Sequence, residues 1–242
     1  MTRRDVLFLD FCGVIHDCTQ VLEHWRARLG DFLTPVLGGE PTAWADANTY
    51  ALERTIERYL AARAAGESVR AYLPRELVLW LRDMCVHVGV PAPEHDRAEE
   101  LARAAARYVT ERVPATIPES IPTLRLLHAR GFALHTAANP WSSDLEGYLS
   151  ALGVRDLFGK LYGPDLVDTW KNGPDFYRRL LADTGVAAER AVVIDDHLRH
   201  LDVAREVGCG TIFVSSHARE PNAHASVRSL SEAADRLLLI DS

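Results

Sequence analysis

The sequence predicts an α/β protein with a doubly wound parallel-sheet core and an inserted all-helical domain. Three observations predict it. Val6-Leu7-Phe8-Leu9 is a short, continuous apolar run, the pattern of a strand covered on both faces. Residues 17–115 then show helical spacing and no convincing strand. From Ile117 onward, short apolar runs alternate with helical patterns, as in a parallel sheet built from right-handed crossovers. The expected division is therefore a core of residues 1–16 plus 116–242 and a helical insert of residues 17–115.

The elements follow in order. Helical patterns fill Thr19–Leu37, Thr42–Ala65, Val69–Val88 and Pro93–Val113. They are separated by Gly38-Gly39, Gly66 and Gly89-Val90-Pro91, which are stop signals. The spacing of Leu22, Trp25, Leu29 and Leu33, and of Leu73, Leu77, Trp80, Leu81 and Met84, places one apolar stripe on each of two helices. In the second half, Ile121–Arg130 reads as a helix, Phe132–His135 as a strand, and Leu145–Leu152 as a helix closed by Gly153. Leu161–Tyr162 reads as a short strand, and a helix lies within Pro174–Gly185. Ala191–Ile194 is a strand, Leu198–Val207 a helix, Thr211–Val214 a strand, Ser226–Val227 a short strand, and Ser231–Leu239 the last helix. Prolines stiffen Val113–Pro118, the return from insert to core.

Bulk properties narrow the function. The formal net charge of −7 over 242 residues lacks the basic clustering that nucleic-acid binding calls for. No apolar run approaches the roughly 18 residues of a membrane span. Met1 to Arg4 lead into the first strand without the apolar region of a secretory signal, so a cytoplasmic location is expected. Cys12, Cys18, Cys85 and Cys209 show no metal-ligand pairing, and reduced thiols are expected. Of 27 basic residues, all but Lys160 and Lys171 are arginine, so a lysine kept inside a motif draws attention.

In a doubly wound sheet, ligands bind at the carboxyl ends of the strands. Asp10, Thr136 and the pair Asp195-Asp196 each fall at the end of an expected strand, so three polar groups converge on one crevice. A carboxylate placed like Asp10 is a nucleophile, a metal ligand or a turn cap.

Four segments carry a family likeness: residues 10–17 (Asp10-Phe11-Cys12-Gly13-Val14-Ile15-His16-Asp17), 134–137 (Leu134 to Ala137), 170–177 (Trp170-Lys171 to Tyr177) and 191–204 (Ala191 to Ala204). Together they resemble the four motifs of the haloacid dehalogenase-like hydrolase superfamily, over nearly all of the core. The resemblance implies a Rossmann-like core with a helical cap domain and a catalytic set of Asp10, Cys12, Thr136 and Lys171. Asp10 would form a transient aspartyl-phosphate. Thr136 and Ala137 would bind a phosphoryl oxygen, and Lys171 would pair with Asp10 and the phosphoryl group. Mg2+ would be held by Asp10, Asp195, Asp196 and the backbone carbonyl of Cys12. The implied partner is a small phosphorylated or otherwise anionic molecule. Arg26, in the first helix of the insert, is a candidate contact to it, while Asp17 reads as a helix N-cap. Trp25 reads as core and Asp202 as a solvated helix residue. His200 stands where relatives often carry Asp or Asn.

The pattern departs from the family at Cys12, where phosphatases carry a second aspartate that protonates the leaving group and later activates water. A thiol, with a reference pKa of about 8.5, holds its proton at neutral pH and is able in principle to donate it. Losing a tuned general acid–base commonly lowers a rate about 10²–10⁴-fold. Three readings stay open at this point: a magnesium-dependent phosphohydrolase, a hydrolase of carbon–halogen bonds through an Asp10 alkyl ester, and a non-catalytic binding protein. The dehalogenase reading predicts no metal and leaves Asp195-Asp196 without a role. A phosphonoacetaldehyde hydrolase would need a Schiff-base lysine in the cap, and residues 17–115 hold none.

Overall fold

The structure, a computed structural model, describes residues 5–216 and 224–240. Residues 1–4, on which the reading of the amino terminus rests, lie outside them. The chain divides into two units, residues 1–18 with 114–242, and residues 19–113.

The first unit is built on a six-stranded parallel sheet: β1 (Val6–Leu9), β2 (Ala133–Ala137), β3 (Phe158–Tyr162), β4 (Ala191–Asp195), β5 (Gly210–Val214) and β6 (Ala225–Val227). The strand order is β3-β2-β1-β4-β5-β6, so the chain reverses direction across the sheet between β2 and β4, on either side of β1. That reversal is the switch point at which doubly wound sheets open a ligand crevice. Val6 stands opposite Ala133 on one side and Ala191 on the other, and Leu9 opposite Thr136 and Ile194. All four residues of β1 are buried, because the central strand is covered on both faces.

The helices of this unit are α5 (Ser120–Ala129), α6 (Ser142–Ala151), α7 (Pro164–Val167), α8 (Pro174–Thr184), α9 (Leu198–Glu206) and α10 (Leu230–Ile240), numbered after the four helices of the second unit. The short α7 has no counterpart in the sequence reading, since four residues carry too little periodicity to register. One face of the sheet packs Val6, Phe8 and Val193 against Phe176, Leu180 and Leu201 of α8 and α9. On the alternate residues, Leu7 and Leu9 are fully buried. Val113–Pro118 lies outside the sheet and runs beside the loop after β1. The Ile15 carbonyl accepts the Ile117 N–H at 3.1 Å and the hydroxyls of Thr116 and Ser120 at 3.2 and 2.8 Å.

The second unit holds α2 (Pro41–Ala64), α3 (Val69–Val88), α4 (His95–Thr110) and, from Thr19 on, α1 (Cys18–Leu37). Its core includes Leu29, Leu33, Trp44, Tyr72, Leu81 and Leu101. Trp25, partly exposed, packs edge-on to Trp80 at 6.0 Å. A polar knot lies inside: buried Glu76 accepts Arg58 Nε at 2.7 Å and Thr55 Oγ1 at 2.8 Å, while Arg58 also reaches Asp83 at 2.8 Å.

Candidate active site

The site forms where β1 and β4 end side by side. Asp10 follows β1 directly, and its N–H donates to the Ile194 carbonyl at 2.8 Å, which extends the ladder and fixes the side chain at the strand mouth. Asp195 is the last residue of β4 and is fully buried. Lys171 lies in the loop between α7 and α8. Its Nζ donates to Asp10 Oδ1 at 2.7 Å and to Asp195 Oδ2 at 2.7 Å. Asp195 Oδ1 also accepts the His197 N–H at 2.8 Å, and His200 Nδ1 lies 3.2 and 3.3 Å from the two Asp195 oxygens.

Asp196 completes a group of three carboxylates. Asp10, Asp195 and Asp196 each offer an oxygen within 4.8 Å of the others. The loop after β1 makes room for this. Gly13 adopts φ +75°, and a Cβ there would overlap the Asp196 carboxylate. Glycine is required on both counts, conformation and space.

The electrostatics follow from burial. Burial, reinforced by Asp195 and Asp196, pushes Asp10 up to about 6 against the pull of Lys171. Burial would likewise raise Asp195, but Lys171 and His200 outweigh it and hold that carboxyl below its usual range. Asp196 is raised by burial and by its neighbour Asp195. Burial alone would lower the Lys171 ammonium, yet the two carboxylates hold it firmly protonated. Three acidic groups therefore meet one buried lysine. Asp10 and Asp195 are buried while Asp196 is exposed at the mouth, so the excess negative charge lies where a cation from solvent can reach it. All-oxygen donors suit a hard divalent cation such as magnesium, so the residues present fit the metal that the sequence motifs imply.

Several expected positions turn out differently. Thr136 lies inside β2 rather than beyond it; its hydroxyl is fully buried and donates to the Tyr162 carbonyl at 3.3 Å. The strand runs to Ala137, so the residues leaving its end are buried Ala138 and exposed Asn139. The sequence reading ended the strand at His135 because polar Thr136 broke the run. Cys12 is not a free thiol: it is joined to Cys18 in a disulfide, so it holds no S–H to donate. The two cysteines are six residues apart, and only the tight bend of residues 11–17 brings their Cα atoms to 5.5 Å. Cys85 and Cys209 are free and buried. Arg26 belongs to the helical unit, where it pairs with Asp46 at 2.8 Å and donates to Thr49 at 2.7 Å. Asp202 is half-exposed and meets Arg205 and His224. The contact of His200 with Asp195 was missed, although its place five residues along, on the first turn of a helix, was the signal that could have found it.

A family model for haloacid dehalogenase-like hydrolases matches residues 5–208. The chain belongs to that family. Among curated proteins, this haloacid dehalogenase-like hydrolase is 29% identical over 214 residues to a phosphoglycolate phosphatase of Rhodospirillum rubrum, covering 86% of this chain and 82% of that one. Among solved structures, it superposes on the HAD-hydrolase YfnB of Bacillus subtilis, solved bound to magnesium, with a TM-score of 0.67 at 15% identity. That match covers 98% of this chain and 100% of the other. A 2-haloacid dehalogenase of Pseudomonas syringae pv. tomato matches with a TM-score of 0.64 at 19% identity over the whole of both chains. At such identities the structural matches establish the fold. Among the described residues, no helix is long and apolar enough to cross a membrane.

Proposed function

We propose that this hydrolase is a magnesium-dependent phosphohydrolase acting on a small phosphorylated metabolite through an aspartyl-phosphate at Asp10. The observation that carries the reading is the meeting of three carboxylates around a single lysine. With one lysine against three carboxylates, a metal-free site would carry excess negative charge and repel a phosphate. The likeness to a phosphoglycolate phosphatase points to the same substrate class.

In this reading Asp10 attacks phosphorus, the bond to the leaving oxygen breaks, and water then attacks the acyl phosphate to release inorganic phosphate. Asp10, raised by burial to about 6, still ionises below neutral pH and needs no base to activate it. Lys171 orients Asp10 through Oδ1 and offsets its charge as the anionic substrate approaches. Asp195 anchors Lys171, and is itself held by the His197 amide and His200. Asp10, Asp196 and the Cys12 carbonyl would hold the metal, with Asp195 beside them. Magnesium, when bound, would neutralise charge on the transferring phosphoryl group. Because joined Cys12 carries no proton, this form of the site favours leaving groups that depart unaided, such as acyl phosphates.

The test is phosphate release from a panel of phosphorylated metabolites and acyl phosphates, with magnesium or with chelator. Magnesium-dependent release by wild type that is abolished in Asp10→Asn supports the reading. Metal-independent halide release from 2-haloacids, with no phosphate release, overturns it.

A further inference from the structure

We propose that the Cys12–Cys18 disulfide is a reversible redox gate on the Asp10 site, which turns over ester substrates when the pair is reduced and is restrained when it is joined. The inference rests on the phosphohydrolase reading above.

Four observations carry it. First, the bond sits at the chemistry. Cys12 is two residues beyond Asp10 and adjoins Gly13, which lies against Asp196. Second, the loop does not need the bond to hold its shape. The Gly13 N–H donates to the His16 carbonyl at 3.0 Å, and the N–H groups of Ile15 and His16 donate to Phe11 at 3.0 and 2.9 Å. Cys12 and His16 also form a short parallel bridge. A covalent staple across a bend already closed by its own backbone adds little to the fold. Third, both cysteines are partly exposed residues, unlike the buried core around them. Cys85 and Cys209 are buried and free, which confines the pairing to this loop. Fourth, the sulfur released at Cys18 has a partner waiting. His16 Nδ1 lies 3.9 Å from Cys18 Sγ, with the ring held against Phe11 at 4.5 Å and Tyr148 at 5.0 Å.

The chemistry balances with a dithiol as reductant. One thiolate of the dithiol attacks a sulfur of the pair, the Cys12–Cys18 bond breaks, and a mixed disulfide forms. The second thiol closes the reductant into its own cyclic disulfide. Two electrons and two protons pass to the cysteines, leaving an S–H at Cys12 where the joined form has none. Two residues beyond Asp10, that S–H would be the proton donor which the joined form withholds from a leaving oxygen, and an oxidised dithiol reverses the change.

The experiment poises the full chain, with magnesium, in buffers of reduced and oxidised dithiothreitol. Thiols are counted by maleimide mass tagging after denaturation, and phosphate release is followed from an alkyl phosphate and from p-nitrophenyl phosphate. The joined form has two taggable thiols, Cys85 and Cys209, and the reduced form four. The count should rise from two to four, and alkyl phosphate turnover should rise at least tenfold with the same midpoint. p-Nitrophenyl phosphate, whose leaving group needs little proton help, should respond less. Cys18→Ser, in which the bond cannot form, should match reduced wild type in every buffer. Four taggable thiols in fully oxidising buffer overturn the proposal. So does turnover that is present but indifferent to the count, which leaves the phosphohydrolase reading standing. Silence toward both substrates in both states removes that reading, and the gate with it.

Discussion

Lys171→Met removes the single buried cation from a site of three carboxylates while nearly preserving the side chain's length. The lysine side chain is fully buried and lies 2.7 Å from both Asp10 and Asp195. At an effective dielectric of about 20, a unit pair at that distance attracts by roughly 6 kcal/mol. Much of that is offset by desolvation, and breaking a buried pair from one side typically destabilises by about 3–5 kcal/mol. For a chain of this size, the loss corresponds to roughly 6–20 °C in Tm. The pH dependence identifies the cause. Lys171 lowers the pKa of both carboxylates relative to a site without it. Folded Lys171→Met therefore takes up protons that wild type does not, so its deficit is largest near pH 7–8 and shrinks as pH falls toward 5. Saturating magnesium should shrink it too, by supplying the missing positive charge. Scanning calorimetry of both proteins at pH 5, 6, 7 and 8, with chelator or magnesium, measures this directly. A deficit below about 1 kcal/mol, or one that ignores both pH and magnesium, would falsify the view that Lys171 neutralises this site.

Other outcomes follow from the same geometry. Magnesium affinity, measured by titration calorimetry, should fall about tenfold per pH unit below pH 6, because protons compete for Asp10; a flat profile from pH 7 to 5 would exclude Asp10 as a ligand. Gly13→Ala strains a left-handed residue and pushes a methyl into Asp196, so magnesium affinity should drop at least tenfold and stability by about 1–3 kcal/mol. In the helical unit, Arg58→Met strips buried Glu76 of its charged donor, and urea unfolding should register a loss of about 3 kcal/mol. Wild-type behaviour there would mean that the Arg58–Glu76 pair adds nothing to the stability of the fold.

The sheet was legible because a parallel strand covered on both faces leaves an unbroken apolar run, as Val6–Leu9 and Ala191–Ile194 do. The helices of the insert were legible from their glycine stops, such as Gly89, which closes α3 in a left-handed cap. Asp10, Asp195 and Asp196 were singled out by residue type and position at strand ends, Lys171 by a family motif and the scarcity of lysine, and the fold brings all four together. What escaped the sequence depends on three-dimensional detail. The end of β2 was placed short of Ala137 because polar His135 and Thr136 are satisfied inside the sheet, Thr136 through the Tyr162 carbonyl. The division of labour between the adjacent aspartates was equally hidden. Only the structure turns Asp195 toward Lys171 and Asp196 toward Gly13. The Cys12–Cys18 pairing arises from a bend whose hydrogen bonds are local but whose closure no spacing rule encodes.

The register of β1 also shapes how the chain is born. Val6 pairs with Ala133 and with Ala191, so the sheet's central strand is synthesised first and meets its neighbours only after 127 and 185 further residues. At roughly 5–20 residues per second, the second neighbour arrives about 10–40 s later. During that interval Val-Leu-Phe-Leu is an apolar segment with both edges open, and the four helices of the insert are free to fold before the sheet exists. Such long-range pairing slows folding and exposes the nascent strand to misassociation. Yield on synthesis should therefore depend on whatever shields β1 until β4 leaves the ribosome.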